Sequence, residues 1–418
     1  MPTSTLPPLA AIRAHFPSLG GKTLLLDNAG GSQVPVGVAD AIRRYMLNDY
    51  VQLGAGYDVS ARATKNVDDA HAFINQVMNG ERSGATLLGP STTQLCHMLA
   101  GCYRRLLRPG DEIIVAECGH ESNIGAWLAL TDIGVRIRWW NVGDDPTGCP
   151  LDALDDLLGP RTRLVCFTHV SNLLGGIVDV AEVARRAHSV GARVVVDGVA
   201  YAAHRAIDVD AWGCDWYVYS TYKVYGPHMA ALFGRHEALD ELTGPNHFFI
   251  PRDRIPYKFE LGGASHEGCA GLLALRDYLA FLAGSDATGR AAAPSDERAT
   301  IERAFEAMTE LELPLQRRLV EGLVAIPGIR VLGPTTVGPE RVATVSVVHD
   351  RVSAAAIAAA AHARGVGFRN GHMYAYRLCE SLGVDLADGV VRISAVHYNT
   401  LDEIDRAVDA VKSAVTRR

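Results

Sequence analysis

The stretch RVVVDGVAYAAHRAIDVDAWGCDWYVYSTYKVYGPHMAALFG, residues 193–234, decides the fold of this chain. A run of three valines, typical of a buried strand, ends directly at Asp197. A second strand-like run, residues 215–219, is closely followed by Lys223, and Gly226-Pro227 then breaks the chain. Ligands of α/β proteins bind beyond the carboxyl ends of the strands. The stretch therefore predicts that Asp197 and Lys223 face the same crevice.

A lysine and a carboxylate in one crevice are the groups that pyridoxal 5′-phosphate (PLP) requires. The lysine amine forms a Schiff base with this cofactor, and the carboxylate keeps its pyridine nitrogen protonated. The alternative is a salt bridge between two loop residues, because most charged side chains are simply solvated. The valines before Asp197 and the aromatic residues around Lys223 favour the cofactor site.

The pattern Ser220-x-x-Lys223-x-x-Gly226-Pro227, with Asp197 before it, resembles the class V aminotransferase family of fold-type I PLP enzymes. Within that family the chain is most similar to the cysteine desulfurase-like branch, from about Leu24 to the C-terminus. The resemblance implies an α/β fold that combines a large domain, built on a mainly parallel seven-stranded sheet, with a smaller C-terminal α+β domain. It also implies a homodimer with the active site at the subunit interface.

The composition excludes several other classes of protein. The 418 residues carry a formal charge of −7 with no basic cluster, which argues against a nucleic-acid partner. Eight cysteines without any C-x-x-C pair favour reduced thiols over a disulfide framework or a zinc site, and no metal is expected. The sequence has no signal-peptide pattern and no apolar run long enough for a membrane span. A cytoplasmic protein without a membrane partner is the expectation.

Strand and helix patterns alternate from about Ala85 onward, which is typical of a parallel sheet covered by helices. The seven predicted strands are Thr86–Leu88, Glu112–Ala116, Val135–Trp140, Arg163–Thr168, Arg193–Val196, Trp216–Tyr219 and Ala230–Phe233. A polar break at 284–289 and a long charged helix from about Pro294 to Val324 indicate a change of domain. We predict an N-terminal arm at 1–20, a large PLP-binding domain at 21–290 and a small domain at 291–418.

The segment after the first of these strands has the groups that a phosphate needs. Ser91, Thr92 and Thr93 supply hydroxyls and backbone N–H groups at the start of a helix, although Ser and Thr are also ordinary helix caps. The resemblance places the phosphate loop on these three residues and a second phosphate contact on Ser220. Tyr222 stands where desulfurases carry histidine, and its hydroxyl could replace that donor.

Four further polar residues follow predicted strands or interrupt one. The resemblance implies that His120 stacks on the cofactor ring and helps move protons, with helix capping as the alternative. It places Asn172 near the cofactor oxygen and the substrate carboxylate. Asn28 lies in a loop whose glycines let a ligand approach the backbone, and we expect it to bind the substrate. Arg392 is a cation inside an apolar strand, where burial is costly without a partner. A substrate carboxylate is one such partner, and a structural ion pair is the other.

Two departures from the desulfurase pattern affect the expected chemistry. The threonine that crosses the dimer interface in desulfurases is replaced by Gly263, which leaves backbone amides or Ser265 as donors. Tyr374 stands where desulfurases carry the nucleophilic cysteine, after the run Arg369-Asn370-Gly371-His372. Cys379 is the nearest thiol and falls in a predicted helix, Tyr376–Ser381, where nothing indicates a reactive thiolate.

These residues predict a PLP-dependent enzyme that acts on an amino acid. Lys223, released from the cofactor by the substrate amine, removes the α-proton while Asp197 maintains the electron-withdrawing ring. We expect β-elimination on a cysteine-type amino acid, which is C–S lyase chemistry, without a persulfide-forming cysteine. Transamination to a keto acid is the alternative. An oxidoreductase or a binding protein would require Lys223 to be merely structural.

Overall fold

The computed structural model describes residues 6–143, 145, 147–284 and 297–416. Its helices are α1 Leu9–Ala14, α2 Val36–Asn48, α3 Asp58–Val77, α4 Thr92–Tyr103, α5 Gly125–Leu128, α6 Leu151–Asp155, α7 Val180–Ser189, α8 Val209–Trp212, α9 His236–Glu241, α10 His266–Leu273, α11 Leu275–Leu282, α12 Glu297–Val324, α13 Ala354–His362, α14 Tyr376–Ser381 and α15 Leu401–Thr416. Its strands are β1 Leu24–Leu25, β2 Gly84–Gly89, β3 Glu112–Ala116, β4 Arg136–Trp140, β5 Thr162–Thr168, β6 Arg193–Asp197, β7 Trp216–Ser220, β8 Ala230–Arg235, β9 Ile329–Leu332, β10 Thr344–His349, β11 Val366–Gly367, β12 Arg369–Gly371 and β13 Val390–Ser394.

The large domain contains a seven-stranded sheet in the order β2-β8-β7-β6-β5-β3-β4. All neighbouring pairs are parallel except those of β8, which runs antiparallel to β2 and to β7. Alternate residues of β3, β5 and β6 belong to two different hydrophobic clusters, so both faces of the sheet are covered. The seven predicted strands and the mainly parallel sheet are confirmed.

The C-terminal domain contains a four-stranded antiparallel sheet in the order β12-β13-β10-β9. Its own hydrophobic cluster joins α12, α13 and α15 to that sheet. Strand β1 pairs in parallel with β11, so the chain segment before α2 adds to this domain. The predicted combination of an α/β domain with an α+β domain is confirmed.

The N-terminal segment packs against residues that are distant in sequence. Phe16 is buried, and its ring centroid lies 5.3 Å from that of Tyr278 and 4.7 Å from that of Tyr398. Arg13 donates to the Tyr398 carbonyl (2.8 Å) and forms an ion pair with Glu403 (3.0 Å). These contacts attach α1 and the 3₁₀ turn after it to the C-terminal part of the chain.

The predicted boundary at 290/291, the polar break beyond Gly284 and the predicted helix start at Pro294 lie outside the described residues. The domain limits therefore stay a prediction. Between β3 and β4 only Gly125–Leu128 is α-helical, and 3₁₀ turns flank it. Among the described residues, no helix is both long and apolar enough to span a membrane.

Candidate active site

A cavity of about 450 Å³ lies at the carboxyl ends of β5, β6 and β7, beside the N-terminus of α4. The cavity brings together all nine residues that are predicted to hold the cofactor. These residues are Ser91, Thr92, Thr93, His120, Asn172, Asp197, Ser220, Tyr222 and Lys223. The strands deliver their side chains here because parallel strands end at a common edge of the sheet.

Asp197 is the last residue of β6, and only 3% of its surface is exposed. Its Oδ1 accepts a hydrogen bond from the Val199 N–H (2.9 Å). The next residue must be Gly198, because a Cβ there would lie 2.1 Å from the Tyr217 ring. Burial raises the pKa of Asp197 to about 6, against the opposing effects of the Val199 bond and of the Lys223 charge. A cation next to this carboxylate would restore its ionised form.

Lys223 ends a 3₁₀ turn that follows β7 directly. Tyr225, with a φ of +61°, reverses the chain after it, and the Tyr225 N–H donates to Ser32 Oγ (2.8 Å). Burial lowers the pKa of Lys223 to about 8, and the charge of Arg392 adds to this effect, while Asp197 opposes it. The amine therefore loses its proton much more readily than an exposed lysine does.

Hydroxyl groups cluster at the α4 end of the cavity. Thr92 Oγ1 lies 2.8 Å from Ser220 Oγ, and Thr93 Oγ1 lies 2.7 Å from Ser122 Oγ. Ser91 caps α4, because its Oγ accepts from the Gln94 N–H (3.2 Å). The helix N-terminus adds partial positive charge to these donors, which is a combination suited to a phosphate. The same loop therefore caps α4 through Ser91 and presents the Thr92 and Thr93 hydroxyls for a ligand.

The Tyr222 side chain lies on the same side of the cavity. Its ring stacks on His228, with centroids 4.4 Å apart and an interplanar angle of 8°. Burial raises the pKa of the Tyr222 phenol, against a hydrogen bond to Ser220 that lowers it. The phenol is therefore protonated at neutral pH and is close to the hydroxyl cluster, where it can act as a donor.

His120 lines the cavity and also caps the turn that follows it. Its Nδ1 accepts from the Ser122 N–H (3.1 Å), so the capping alternative is correct for this nitrogen. Burial lowers the pKa of His120 to about 4, and the charges of Lys223 and Arg392 lower it as well. The imidazole is neutral at physiological pH, with its other nitrogen carrying the proton.

Asn172 and Arg392 present buried polar atoms without a hydrogen-bond partner in the described part of the chain. Asn172 Nδ2 donates to the Met373 carbonyl (2.9 Å), whereas its Oδ1 has no partner. Arg392, which is 3% exposed, donates to the Asn172 carbonyl (3.4 Å) and to Asp27 Oδ1 (3.1 Å), whereas its Nε has no partner. Such groups are rare in folded proteins unless a ligand or water satisfies them. Arg392 lies behind Asn172 rather than in the cavity wall.

The predicted substrate contact of Asn28 does not agree with its surroundings. Its Nδ2 donates to the Ser394 carbonyl (2.9 Å) and to Asn399 Oδ1 (3.1 Å), and its Oδ1 accepts from the Tyr398 hydroxyl (2.5 Å). The side chain is 3% exposed and is not part of the cavity wall. Its amide fastens the loop after β1 to the C-terminal domain, because every polar atom is already bonded.

Tyr374 closes one side of the cavity, and its backbone conformation is unusual. Its φ is +60°, and that of Met373 is +48°, a region that non-glycine residues rarely adopt. The Glu121 N–H donates to the Tyr374 carbonyl (2.9 Å), which fixes the loop against the cavity. All eight cysteines are buried. Burial raises the pKa of Cys379, within α14, to about 11, so this thiol stays protonated.

Some residues of the site were not identified from the sequence. His97 lines the cavity and lies four residues after Thr93, a helical spacing that indicates a shared face. His228 also lines it and directly follows Gly226-Pro227. Asp27 forms ion pairs with Arg369 (2.6 Å) and Arg392 (3.1 Å), and no local sequence pattern reveals these partners.

The residues present fit PLP. The cavity places hydroxyl donors at a helix start, a neutral imidazole and a buried carboxylate around a lysine of lowered pKa. Asn172, whose Oδ1 has no partner among the described residues, also lines the cavity, and its carbonyl accepts from Arg392. Fold and site together define a fold-type I PLP-dependent enzyme.

Comparison with known proteins gives the family. The family profile described as aminotransferase class-V matches residues 24–407. The chain is 38% identical over 411 residues to the aminotransferase-like protein FGM3 of Gibberella zeae, with 96% of this chain and 97% of the relative covered. It is 31% identical to a cysteine desulfurase of Dickeya dadantii, with coverage of 96% and 95%.

A solved structure shows the same fold. The cysteine desulfurase CsdA from Escherichia coli superposes with a TM-score of 0.81 at 26% identity, covering 98% of this chain and 99% of that one. The chain belongs to the class V aminotransferase family and is similar to its cysteine desulfurases. It is a PLP-dependent enzyme.

Proposed function

We propose that the enzyme is a C–S lyase that cleaves a cysteine-type amino acid by β-elimination, without a persulfide-forming cysteine. The observation that carries this proposal is the cavity wall formed by Tyr374 together with the burial of all eight thiols. A phenol cannot accept sulfur as a thiolate does. Sulfur released from cysteine in such a cavity leaves as free sulfide, and a disulfide substrate such as cystine would release a small persulfide.

The cofactor-binding residues divide by the part of PLP that they suit. Hydroxyls of the α4 end and of Tyr222 suit the phosphate, Asp197 suits the pyridine nitrogen, and the His120 ring suits the ring face. Lys223 is the residue of covalent attachment. When bound, PLP acts as an electron sink that makes the α-proton of an amino acid acidic.

Lys223 is the base that we assign to the α-proton. Its pKa, lowered to about 8 by burial, gives an appreciable fraction of neutral amine at physiological pH. A base works best when its pKa lies near the working pH. His120 is neutral, so its protonated nitrogen is available as a donor within the cavity.

Arg392 is the residue that we assign to the substrate carboxylate, and Asn172 is the residue that we assign to the substrate amine. A guanidinium binds a carboxylate through two parallel hydrogen bonds, and Arg392 Nε is available for one of them. Asn172 Oδ1 is an acceptor and cannot bind a carboxylate, but it can accept from the substrate amine. With these two assignments, the substrate supplies hydrogen-bond partners for Arg392 Nε and Asn172 Oδ1, two buried atoms that otherwise have none within the described residues.

The reaction balances with water as the only co-reactant. The α-proton leaves to Lys223, the C–S bond breaks with its electron pair on sulfur, and sulfur takes up a proton. Hydrolysis of the three-carbon fragment gives pyruvate and ammonia. For cysteine, one molecule of amino acid and one of water thus yield pyruvate, ammonia and hydrogen sulfide.

Transamination is the second candidate function. It is supported by the relative that is 38% identical and is named an aminotransferase-like protein. Transamination uses the same lysine, carboxylate and arginine, but it requires a keto acid as acceptor and releases no sulfide.

A homodimer is also part of the proposal. Two segments carry large exposed apolar side chains: Phe248 (97% exposed), Phe249 (68%) and Leu261 (65%) in one, and Leu47 (66%) and Tyr50 (65%) in the other. Apolar exposure of this kind is typical of protein–protein contacts. Light scattering of the purified enzyme measures the mass directly, and a monomer would contradict this part.

The predicted intersubunit donors lie beside the exposed Leu261. Gly262 and Gly263 have φ values of +79° and +80°. The Ser265 hydroxyl caps α10 by accepting from the Gly268 N–H (3.1 Å), so it is already used within the chain. Backbone amides around Gly263 are the donors that we propose for a partner subunit.

One set of assays distinguishes the two functions. The purified holoenzyme is incubated with cysteine and cysteine S-conjugates, and pyruvate and sulfide are measured; parallel samples contain other amino acids and a keto acid acceptor. Pyruvate formed in equal amount with sulfide from cysteine, or with the corresponding thiol from an S-conjugate, supports the lyase, whereas keto acid formed only with an acceptor supports transamination. Borohydride reduction and peptide mapping should place the pyridoxyl label on Lys223, and Lys223→Ala should abolish label and activity. A label on exposed Lys22, or none, would contradict the assigned site.

A further inference from the structure

Two arginines stand directly opposite each other in the sheet of the C-terminal domain. Arg369 of β12 and Arg392 of β13 are Cα partners in the antiparallel pair. Like charges in this relationship repel and destabilise a sheet. Arg392 is 3% exposed, so water cannot screen its charge effectively. The arrangement requires a counterion between the two guanidinium groups.

Asp27 supplies that counterion from another part of the chain. Its Oδ2 accepts from Arg369 Nε (2.6 Å), and its Oδ1 accepts from an Arg392 terminal nitrogen (3.1 Å). Asp27 follows β1 and forms a bridge with Ser394, so its backbone is fixed to the end of β13. One carboxylate therefore bonds both arginines at once.

The backbone around Asp27 leaves space for this carboxylate. A Cβ at Gly30 would lie 2.9 Å from Asp27 Oδ2 and 3.1 Å from its Oδ1. Any larger residue at position 30 would push the carboxylate out of its place between the arginines. Gly30 thus allows a test of the Asp27 position that leaves every charge unchanged.

The charge of Asp27 reaches the reacting groups as well. Burial lowers the pKa of Arg392, and the charge of Asp27 and its hydrogen bond oppose that effect. Burial lowers the pKa of Lys223 most, and the positive charge of Arg392 lowers it further. The negative charge of Asp27 raises this pKa and so opposes both effects. The three charged side chains Asp27, Arg369 and Arg392 together carry one net positive charge.

We propose that Asp27 is a positioning residue for substrate recognition: it holds the Arg392 guanidinium so that Nε faces the substrate carboxylate. The proposal rests on the assignment of Arg392 to that carboxylate. Only one terminal nitrogen of Arg392 bonds to Asp27, so Nε stays available. The net charge of one leaves the group able to neutralise a single carboxylate.

Two variants remove this function in different ways. Asp27→Asn keeps the size and loses the charge, and Gly30→Ala displaces the carboxylate and keeps the charge. In both holoenzymes the KM for the amino acid should rise about tenfold or more, with kcat within about threefold, because binding geometry rather than chemistry is lost. Asp27→Glu, which keeps a carboxylate, should recover part of the affinity.

A binding measurement separates this proposal from the reaction itself. The probe is 2-aminoisobutyrate, which has an α-carboxylate but no α-proton, and calorimetry measures its Kd for each holoenzyme. Asp210→Asn is the matched control, because Asp210 pairs with Arg82 at 2.6 Å and its side chain is 24% exposed, against 26% for Asp27. A tenfold weaker Kd in Asp27→Asn and Gly30→Ala, with an unchanged Kd in Asp210→Asn, supports the proposal.

The contrary outcomes are distinct. An unchanged Kd in Asp27→Asn, in a parent protein that binds the probe, would overturn the positioning role and leave the proposed reaction intact. A lowered melting temperature with unchanged Kd would make Asp27 purely structural and would also overturn it. A parent protein that is labelled at Lys223 but does not bind the probe would contradict the assignment of Arg392, and the role of Asp27 with it.

Discussion

The Tyr374 ring lies over the His120 ring, with centroids 5.2 Å apart and planes inclined by 37°. The backbone of Tyr374 is left-handed, with a φ of +60°. A left-handed conformation costs a non-glycine residue about 1–2 kcal/mol. The loop holds this conformation through backbone contacts, including the bond from the Glu121 N–H to the Tyr374 carbonyl.

Replacing Tyr374 by Ala or by Gly tests this backbone conformation. Both changes remove the ring, but only Ala retains the Cβ, so Tyr374→Gly should be the more stable by about 1 kcal/mol. The measurement is urea unfolding of both variants. The same pair of changes at Arg43, exposed within α2, is the control and should favour Ala by about 1 kcal/mol. Equal preference for Ala at both positions would contradict the left-handed assignment.

Asp197→Asn should lose most of the turnover, by about 100-fold or more, because a neutral partner no longer favours a protonated pyridine. The amide oxygen can still accept from the Val199 N–H, so the fold should remain. A holoenzyme variant as active as the parent would show that Asp197 does not contact the pyridine nitrogen.

Asp197→Asn, which should lower turnover, should raise the stability of the PLP-free protein. Because burial raises the pKa of Asp197 from 3.8 to about 6, folding favours the protonated form, and stability falls as pH rises through this interval. The loss is complete above pH 6 and amounts to at most about 3 kcal/mol. The advantage of Asp197→Asn over the parent should therefore grow between about pH 4 and 6 and level off above pH 6. An advantage that is independent of pH would contradict the raised pKa.

The residues predicted from the sequence are those that directly follow strong strand patterns. Asp197 and Lys223 belong to this group, because an apolar run determines both a buried strand and the edge at which it ends. Asp27 could not be found in this way. It follows a strand of only two residues, and its arginine partners lie 342 and 365 residues away in sequence.

The contacts of Asn28 could not be predicted for a related reason. The glycines of its loop indicate that another group lies close to the backbone, but the sequence does not show whether this group is a ligand or another part of the chain. In the structure, the amide of Asn28 contacts Ser394, Tyr398 and Asn399. The left-handed conformation of Tyr374 was equally inaccessible, because local propensity argues against it and tertiary contacts impose it.

Arg392→Lys should chiefly weaken amino-acid binding, because an ammonium cannot reproduce the two parallel hydrogen bonds of a guanidinium. We expect the KM to rise about tenfold, equivalent to about 1.4 kcal/mol, with a much smaller change in kcat. Steady-state kinetics of the holoenzyme provide the measurement, and Arg406→Lys on the exposed face of α15 is the control. An unchanged KM in Arg392→Lys would place this arginine outside the substrate site.

The His71–Glu260 pair should make stability depend on pH. Glu260 Oε1 accepts from the Leu88 N–H (2.6 Å) and lies 2.7 Å from His71 Nε2. Burial opposes a charge on His71, but the hydrogen bond and the charge of Glu260 outweigh it, so the pKa of His71 is raised. The resulting stability is fully present below the ordinary histidine pKa of about 6.5 and is lost as pH rises through the raised value.

His71→Gln should accordingly cost more stability at pH 6 than at pH 9, as measured by urea unfolding. Glu260→Gln is the matched variant: it keeps an acceptor for the Leu88 N–H but removes the charge that holds the proton on His71. Both variants should lose the pH-dependent part of the stability that the His71–Glu260 pair contributes. A cost of His71→Gln that is the same at the two pH values would contradict a raised pKa.

No cysteine of this chain should carry sulfur during turnover. Cys379 is the thiol nearest in sequence to Tyr374, but it is fully buried in α14, and its pKa is raised to about 11. At neutral pH almost none of it is the thiolate that attacks sulfur. Cys379→Ser should therefore leave turnover within about threefold of the parent, an effect of about 0.7 kcal/mol on the barrier. A large loss of turnover in this variant, or a persulfide on Cys379 detected by mass spectrometry, would assign the protein to the desulfurases that use a cysteine nucleophile.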